Sequence, residues 1–148
     1  MAISEPTAGE TISEPSEYEV MRSNAIAKKN HATQTRLEKV LSYTKQTMVA
    51  YMSEEDLNRL CAYIVEYSSG DTLQKISPVK VDSQLKSVDI MHFGWNIGKA
   101  FSKKRIHTAT FIKNVFSHTL RDLEISTIER KMSHTESVCC IKLDRKIM

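Results

Sequence analysis

The stretch that decides the fold runs from Val88 to Phe101 and reads VDIMHFGWNIGKAF. Its large apolar residues lie on more than one side of a helix, a pattern typical of an element surrounded by the rest of a core. They are Ile90, Met91, Phe93, Trp95, Ile97 and Phe101. Gly94 and Gly98 are one helical turn apart, so they share a face on which another backbone can come close. The sequence therefore predicts a buried central helix with a second helix packed tightly against it.

Two amphipathic helices are predicted before this stretch. The first carries apolar residues at three- and four-residue steps, namely Leu37, Val40, Leu41, Met48 and Met52. The second should begin after Ser53, which can accept a hydrogen bond from a free amide of the first turn. It should end at Gly70, since glycine commonly closes a helix in the left-handed conformation.

Two shorter helices and a strand are predicted after it. Thr108 is a candidate cap for the fourth helix, and Ser126 with Glu129 has the spacing of a capping box for the fifth, which should run to about Ser133. The β-branched and small apolar residues from Ser137 to Leu143 favour a short terminal β-strand. The predicted fold class is thus mainly α, a bundle of about five helices in residues 31–148, with a helix-turn-helix-like C-terminal half.

The first thirty residues have a different composition. Residues 1–20 contain five acidic residues, no Lys or Arg, and both Pro6 and Pro15. Such a segment can bury little apolar surface, so residues 1–30 are predicted to be a disordered acidic tail. The segment lacks the early positive charge and apolar run of a secretory signal, and no window of the chain is apolar enough for a membrane helix. No membrane partner is expected.

The rest of the chain is basic. The full sequence has 21 Lys and Arg against 18 Asp and Glu, and five of those acids lie in residues 1–20. From Lys99 onward, eleven Lys or Arg stand against five acids. This asymmetry indicates a polyanionic partner, although ordinary solvated surfaces also carry several net charges.

The pattern of reactive residues argues against an enzyme. The three cysteines, Cys61, Cys139 and Cys140, form no spaced disulfide or zinc framework, which favours reduced thiols in a cytoplasmic setting. Neither a glycine-rich phosphate loop nor a nucleophile elbow occurs. Asp89 and His92 lie one turn apart, and an incidental hydrogen bond between them is favoured over a catalytic pair. We therefore expect no catalytic residues, no metal and no cofactor.

The strongest functional candidate is the pair of helices at the C-terminal end. A helix, a turn and a short polar helix follow the plan of a helix-turn-helix DNA reader, in which the second helix enters the major groove. Leu123, Ile128 and Met132 would anchor that helix from below. The predicted nucleic-acid-binding residues comprise a positioning set that contacts phosphates and a set that faces base edges. They are Lys103, Lys104 and Arg105 in the first, and Ser126, Thr127, Arg130 and Lys131 in the second.

The run from Ser126 to Met132 is similar to the start of recognition helices in lactose-repressor-type regulators, which begin serine-threonine-aliphatic-x-arginine. The similarity covers this run alone, and residues 119–125 contain neither the alanine nor the glycine that those proteins place before the helix. The resemblance implies base-edge contacts from Ser126, Thr127 and Arg130.

Two other interpretations remain open at this stage. The basic residues of these helices could simply keep the surface of a bundle in solution, as most surface Lys and Arg do. Alternatively, the protein could be a non-enzymatic protein–protein interaction module that uses the acidic tail or the Gly94/Gly98 face. The favoured function is a small nucleic-acid-binding, most readily DNA-binding, regulatory or accessory protein.

Overall fold

The computed structural model describes residues 16–70, 75–135 and 139–144. Within these ranges the chain forms five helices and no strand: α1 Glu17–Met48, α2 Glu54–Ser69, α3 Ser87–Ala100, α4 Arg105–Val115 and α5 Ile125–Lys131. The mainly α class and the helical bundle predicted from the sequence are confirmed. None of the helices in the described parts of the chain is long and apolar enough to cross a membrane.

The chain divides into two compact units, residues 1–34 and residues 35–148. In the first unit, α1 begins at Glu17, inside the segment predicted to be a disordered tail, and every residue from 16 to 34 is exposed. A local signal explains the helix start, because the Ser16 hydroxyl accepts a hydrogen bond from the Glu19 amide at 3.1 Å, and no proline or glycine follows before Gly70. Residues 1–15 of the predicted tail lie outside the described residues.

In the second unit, α3 is the central element, as its composition predicts. Its apolar residues Ile90, Phe93 and Ile97 are fully buried. The Phe93 ring stacks on Tyr43 of α1, with centroids 5.9 Å apart, and meets Phe116, which follows α4, edge to face at 6.0 Å. These aromatic pairs join three elements of the unit around one helix.

The glycine face of α3 packs against α4. A Cβ atom added at Gly94 would lie 2.8 Å from two carbon atoms of Ile112, and one at Gly98 would lie 2.5 Å from the Thr108 hydroxyl. The close helix packing predicted from the two glycines is therefore present. Because α4 occupies the Gly94/Gly98 face of α3, this face is closed to an external protein partner.

The boundaries of α2 agree with the prediction, and those of α4 and α5 do not. Ser53 caps α2 through the Asp56 amide, and Gly70 ends it at φ 86°. In contrast, α4 begins at Arg105, so Thr108 lies inside it, buried and 2.6 Å from the Tyr67 hydroxyl. The capping box is also absent, since α5 begins at Ile125 and has no side-chain cap.

The terminal β-strand predicted for Ser137 to Leu143 is wrong for residues 139–143, and residues 137–138 lie outside the described residues. We call residues 139–144 the C-terminal strap. The strap pairs with no strand among the described residues. Its amides instead donate to side chains of α3: those of Cys140 and Ile141 to Asp89 Oδ1 at 2.6 and 3.0 Å, and that of Asp144 to Asn96 Oδ1 at 2.6 Å. Side chains thus take the place of a strand partner.

Candidate nucleic-acid interface

A basic cleft opens where α3 ends and α4 begins. It has a volume of about 520 Å³ and is lined by Trp95, Lys99, Lys103, Lys104, Arg105, Ser133 and Leu143. Four of these residues are cations, and no acidic residue is among them. We call this site the basic cleft.

The turn between α3 and α4 places the lysines. Ser102 has a φ of 58°, in the left-handed region, and the Lys103 amide donates to the Gly98 carbonyl at 2.9 Å. This is the geometry of a Schellman cap, which ends α3 and reverses the chain within a few residues. Lys99 in the last turn of α3 and Lys103 and Lys104 in the reversal therefore line the same cleft.

Two of the lysines also rest on aromatic rings. Lys99 Nζ lies 5.8 Å from the centroid of the Trp95 ring, and Lys103 Nζ lies 5.4 Å from that of Tyr67. Burial raises the pKa of Tyr67 to about 12, although its hydrogen bond with Thr108 acts in the opposite direction. Tyr67 is thus a neutral phenol at neutral pH, and its contact with Lys103 is a cation–π interaction that leaves the ammonium charge in place.

Arg105 links the cleft to α5. Its guanidinium donates to the carbonyls of Glu129 and Arg130 at 2.5 and 3.4 Å and to the Ser133 hydroxyl at 3.1 Å. These carbonyls belong to the C-terminal end of α5, where a cation complements the helix dipole. All three acceptors are uncharged, so the positive charge of Arg105 is not neutralised by them. None of the four cleft cations takes part in an ion pair among the described residues.

The electrostatics of α4 add to those of the side chains. Lys104 is the N-cap residue of α4 and makes no side-chain cap, and the first turn contains no acidic residue. The positive end of the helix dipole therefore lies beside the cationic cleft without a counter-charge of its own.

The structure brings together only some of the predicted site residues. Lys103, Lys104 and Arg105 line one cleft, and Arg105 contacts the end of α5 that carries Arg130. The sidedness of α5 agrees with the prediction, since Ile128 and Met132 are buried whereas Ser126, Arg130 and Lys131 are exposed. Thr127 is half-buried, and the α5 residues Ser126, Thr127, Arg130 and Lys131 are not part of the cleft lining.

Sequence reasoning missed Lys99, Trp95 and Leu143 as members of the cleft. The spacing of Lys99, four residues before Lys103, would place both on one face of a continuous helix. The helix ends between them, however, so only the observed turn shows that both side chains line the cleft. Trp95 is 7% exposed, so its assignment to the core is correct even though it also lines the cleft. Among the described residues, no group of three or more His, Cys, Asp or Glu side chains could hold a metal ion.

Comparison of the chain with protein-family models, with curated proteins and with solved structures found no match.

Proposed function

We propose that this protein is a small nucleic-acid-binding regulatory or accessory protein whose main contacts are made to phosphate groups. The observation that supports the proposal is the convergence of Lys99, Lys103, Lys104 and Arg105 on one cleft, whose lining by the described residues contains no acidic side chain. Grouped cations of this kind raise the local concentration of polyanions and release their counterions on binding.

The basic residues of α5 extend this positive surface. Arg130 and Lys131 lie at the end of α5 that Arg105 contacts, and both are exposed. In DNA complexes, phosphate contacts fix the position of a protein and base-edge contacts give it specificity. The cleft would supply the first kind of contact, and Ser126, Thr127 and Arg130 the second.

A strict helix-turn-helix geometry is not needed for this proposal. The connection between α4 and α5 runs from residue 116 to residue 124, whereas the turn of that motif has roughly three to four residues. The order of a helix, a connection and a short helix in the C-terminal half is like that of the motif. The proposal rests on the cations of α5 and of the basic cleft, which lie beside one another in spite of the longer connection.

The test is the salt dependence of binding to labelled duplex and single-stranded DNA, followed by fluorescence anisotropy. Each phosphate contact contributes a slope of roughly −0.9 on duplex DNA and roughly −0.7 on single strands in a plot of log affinity against log salt, so engagement of all four cleft cations gives a slope of about −3.6 on duplex DNA. Lys103→Ala should flatten the slope by about one unit on every sequence, whereas Arg130→Ala should lower affinity for a preferred sequence by about 1–3 kcal/mol.

Lys80→Ala is the matched control, because it removes the same charge from an exposed residue outside the cleft lining. It should leave the slope within the error of the unmutated protein. Absence of salt-dependent affinity for either form of DNA at low ionic strength would refute the proposal.

One observation favours the second candidate function, a protein–protein interaction module. The first unit exposes Tyr18, Met21 and Ile26 on a helix, with Tyr18 63% exposed and Met21 58% exposed. Apolar side chains in such a position are common at partner-binding surfaces. Binding through them would change little with salt, which separates this function from nucleic-acid binding.

A further inference from the structure

The buried helix α3 carries a row of polar side chains along one side. Asp89, His92 and Asn96 are spaced by three and four residues, and each is only 1% exposed. Buried polar groups of this kind require hydrogen-bond partners. In this protein the partners are mainly backbone groups of His134 and of the C-terminal strap.

Asp89 and Asn96 hold the strap at two points. Asp89 Oδ1 accepts from the amides of Cys140 and Ile141, while its Oδ2 accepts from the Lys86 amide at 2.9 Å. Asn96 accepts from the Asp144 amide and donates to the Lys142 carbonyl at 2.8 Å. All three groups that contact this carboxyl group are N–H donors, so both of its oxygens act as acceptors.

His92 lies between them and contacts two carbonyl groups. Its Nδ1 is 2.8 Å from the Ile141 oxygen, and its Nε2 is 2.7 Å from the His134 oxygen. A carbonyl oxygen can only accept, and a neutral imidazole has a single N–H. Both contacts are therefore hydrogen bonds only if both ring nitrogens carry a proton. In the neutral ring, one of them would place a nitrogen lone pair against a carbonyl oxygen.

The surrounding charges are compatible with a cationic ring. Asp89, one turn earlier on α3, supplies a negative charge in the same buried row, and Asp144 lies at the end of the strap. Burial raises the pKa of Tyr43, and the pKa of Tyr51 is raised mainly by its electrostatic interaction with Cys140, so both phenols are neutral at neutral pH. The remaining titratable groups on the packed segments are His134, Cys139, Cys140 and Lys142.

We propose that His92 is a positioning residue of the basic cleft, present as a doubly protonated imidazolium that fastens the carbonyl groups of His134 and Ile141 to α3. The first of these carbonyls follows Ser133 in the chain and the second precedes Leu143 by two residues, and both Ser133 and Leu143 line the cleft. The two parts of the cleft lining that contain Ser133 and Leu143 are thus held near α3 by a charged group that is not itself among the lining residues. The consequence for binding rests on the proposed function, whereas the charge state of His92 does not.

The charge state is tested on the unmutated protein by ¹⁵N NMR of the histidine rings at neutral pH. We expect two ring N–H signals for His92, both with the nitrogen shifts of an imidazolium and both slow to exchange with solvent. The signals are assigned by their loss in His92→Phe. One protonated and one unprotonated nitrogen, the signature of a neutral tautomer, would overturn the proposal.

The positioning role is tested by hydrogen exchange and by binding. In His92→Phe, the amides of Cys140 and Ile141 should exchange faster by on the order of tenfold or more, because a charge-assisted hydrogen bond that held the strap is lost. Affinity for DNA should fall in the same variant while the salt slope, set by the lysines, stays unchanged. His118→Phe, at an exposed histidine, is the control and should change neither.

The two proposals fail in different ways. Unmutated protein that does not bind DNA refutes the proposed function, and the ring signals and strap exchange then still decide the role of His92. Unchanged exchange of the strap amides in a folded His92→Phe protein overturns the positioning role. Should that variant not fold, the ring signals of the unmutated protein decide, assigned by their nuclear Overhauser effects to protons of the segments that contain His134 and Ile141.

Discussion

Gly98→Ala provides a quantitative test of the packing that supports the basic cleft. The new Cβ would lie 2.5 Å from Thr108 Oγ1 and 3.0 Å from Thr108 Cγ2, both inside van der Waals contact. Thr108 cannot easily rotate away, because it is 1% exposed and its hydroxyl lies 2.6 Å from the Tyr67 hydroxyl and 3.3 Å from the Lys104 carbonyl. The substitution therefore forces either a shift of α4 or the loss of a buried hydrogen bond.

The opposing free energies can be compared. Alanine gains about 1 kcal/mol over glycine in helix propensity. Overpacking costs about 1–3 kcal/mol, and an unsatisfied Tyr67 hydroxyl adds about 1–3 kcal/mol if its bond to Thr108 breaks. The free energy of unfolding should fall by about 0–2 kcal/mol if α4 shifts and the bond to Thr108 survives, and by about 1–5 kcal/mol if that bond breaks, so sterics match or outweigh propensity at this position.

Chemical denaturation of a double-mutant cycle isolates the contact. Thr108→Ala removes both atoms nearest to the new methyl group, so Gly98→Ala should cost less in that background, with a coupling of about 1–3 kcal/mol. A stabilising effect of Gly98→Ala, or effects that add to within about 0.5 kcal/mol, would refute the close approach of α3 and α4 at this point.

Three further predictions concern stability. Ser102→Gly should raise the free energy of unfolding by up to about 1 kcal/mol, because Ser102 has a φ of 58° that glycine adopts without strain; a loss of stability in denaturation would contradict this. Burial raises the pKa of Tyr67 from 10 to about 12. The contribution of the neutral phenol to the free energy of unfolding is therefore complete below pH 10, and about 3 kcal/mol of it is lost as the pH rises to about 12. Tyr67→Phe should be less sensitive to pH over this interval, and an equal alkaline loss in both proteins would argue against the shift. Trp95, 7% exposed, should emit as a buried indole, and Trp95→Ala should cost about 3–5 kcal/mol; emission of a hydrated ring in the native protein would contradict its position.

Local signals account for the parts of the fold that the sequence predicts well. Ser53 and Gly70 delimit α2 because capping depends on residues next to one another in the chain. The apolar residues on all sides of α3 identify the buried helix in the same way. These features need no knowledge of what packs against them.

The incorrect sequence predictions arise at residues whose contacts are made with residues far away in the chain. Thr108 has the chemistry of a cap, yet in the structure its hydroxyl pairs with Tyr67, far earlier in the chain. The strand-like composition of the terminal segment is real, but a strand requires a partner. Asp89, His92 and Asn96 could be recognised in the sequence as polar residues on a buried helix. The incidental bond expected between Asp89 and His92 is not what satisfies them, since both bond to the C-terminal segment, which only the tertiary structure reveals.

The candidate site was predictable in its charges and not in its shape. The run Lys103-Lys104-Arg105 is visible in the sequence, whereas the contribution of Lys99 depends on the left-handed turn at Ser102. The link to α5 depends on Arg105 reaching backbone carbonyls, which no sequence pattern encodes. Arg105, which is predicted to contact phosphate, therefore also connects α4 to α5.

The N-cap of α4 allows the conflict between stability and binding to be measured at one residue. Lys104 occupies a position where aspartate stabilises helices, and its ammonium lies near the positive end of the helix dipole. Lys104→Asp should raise the free energy of unfolding by about 1–2 kcal/mol through a new cap and a favourable dipole interaction. The same substitution places a negative charge in the cleft, so DNA affinity should fall and the salt slope should flatten by more than in Lys104→Ala. Denaturation and anisotropy on the same samples give both quantities, with Lys80→Asp as the exposed control outside the cleft lining. The free energy of unfolding and the DNA affinity are expected to change in opposite directions, because a lysine at this position adds to the positive potential and cannot cap α4. A stabilised variant that binds DNA as well as the unmutated protein would show that the cleft is not where phosphate groups bind.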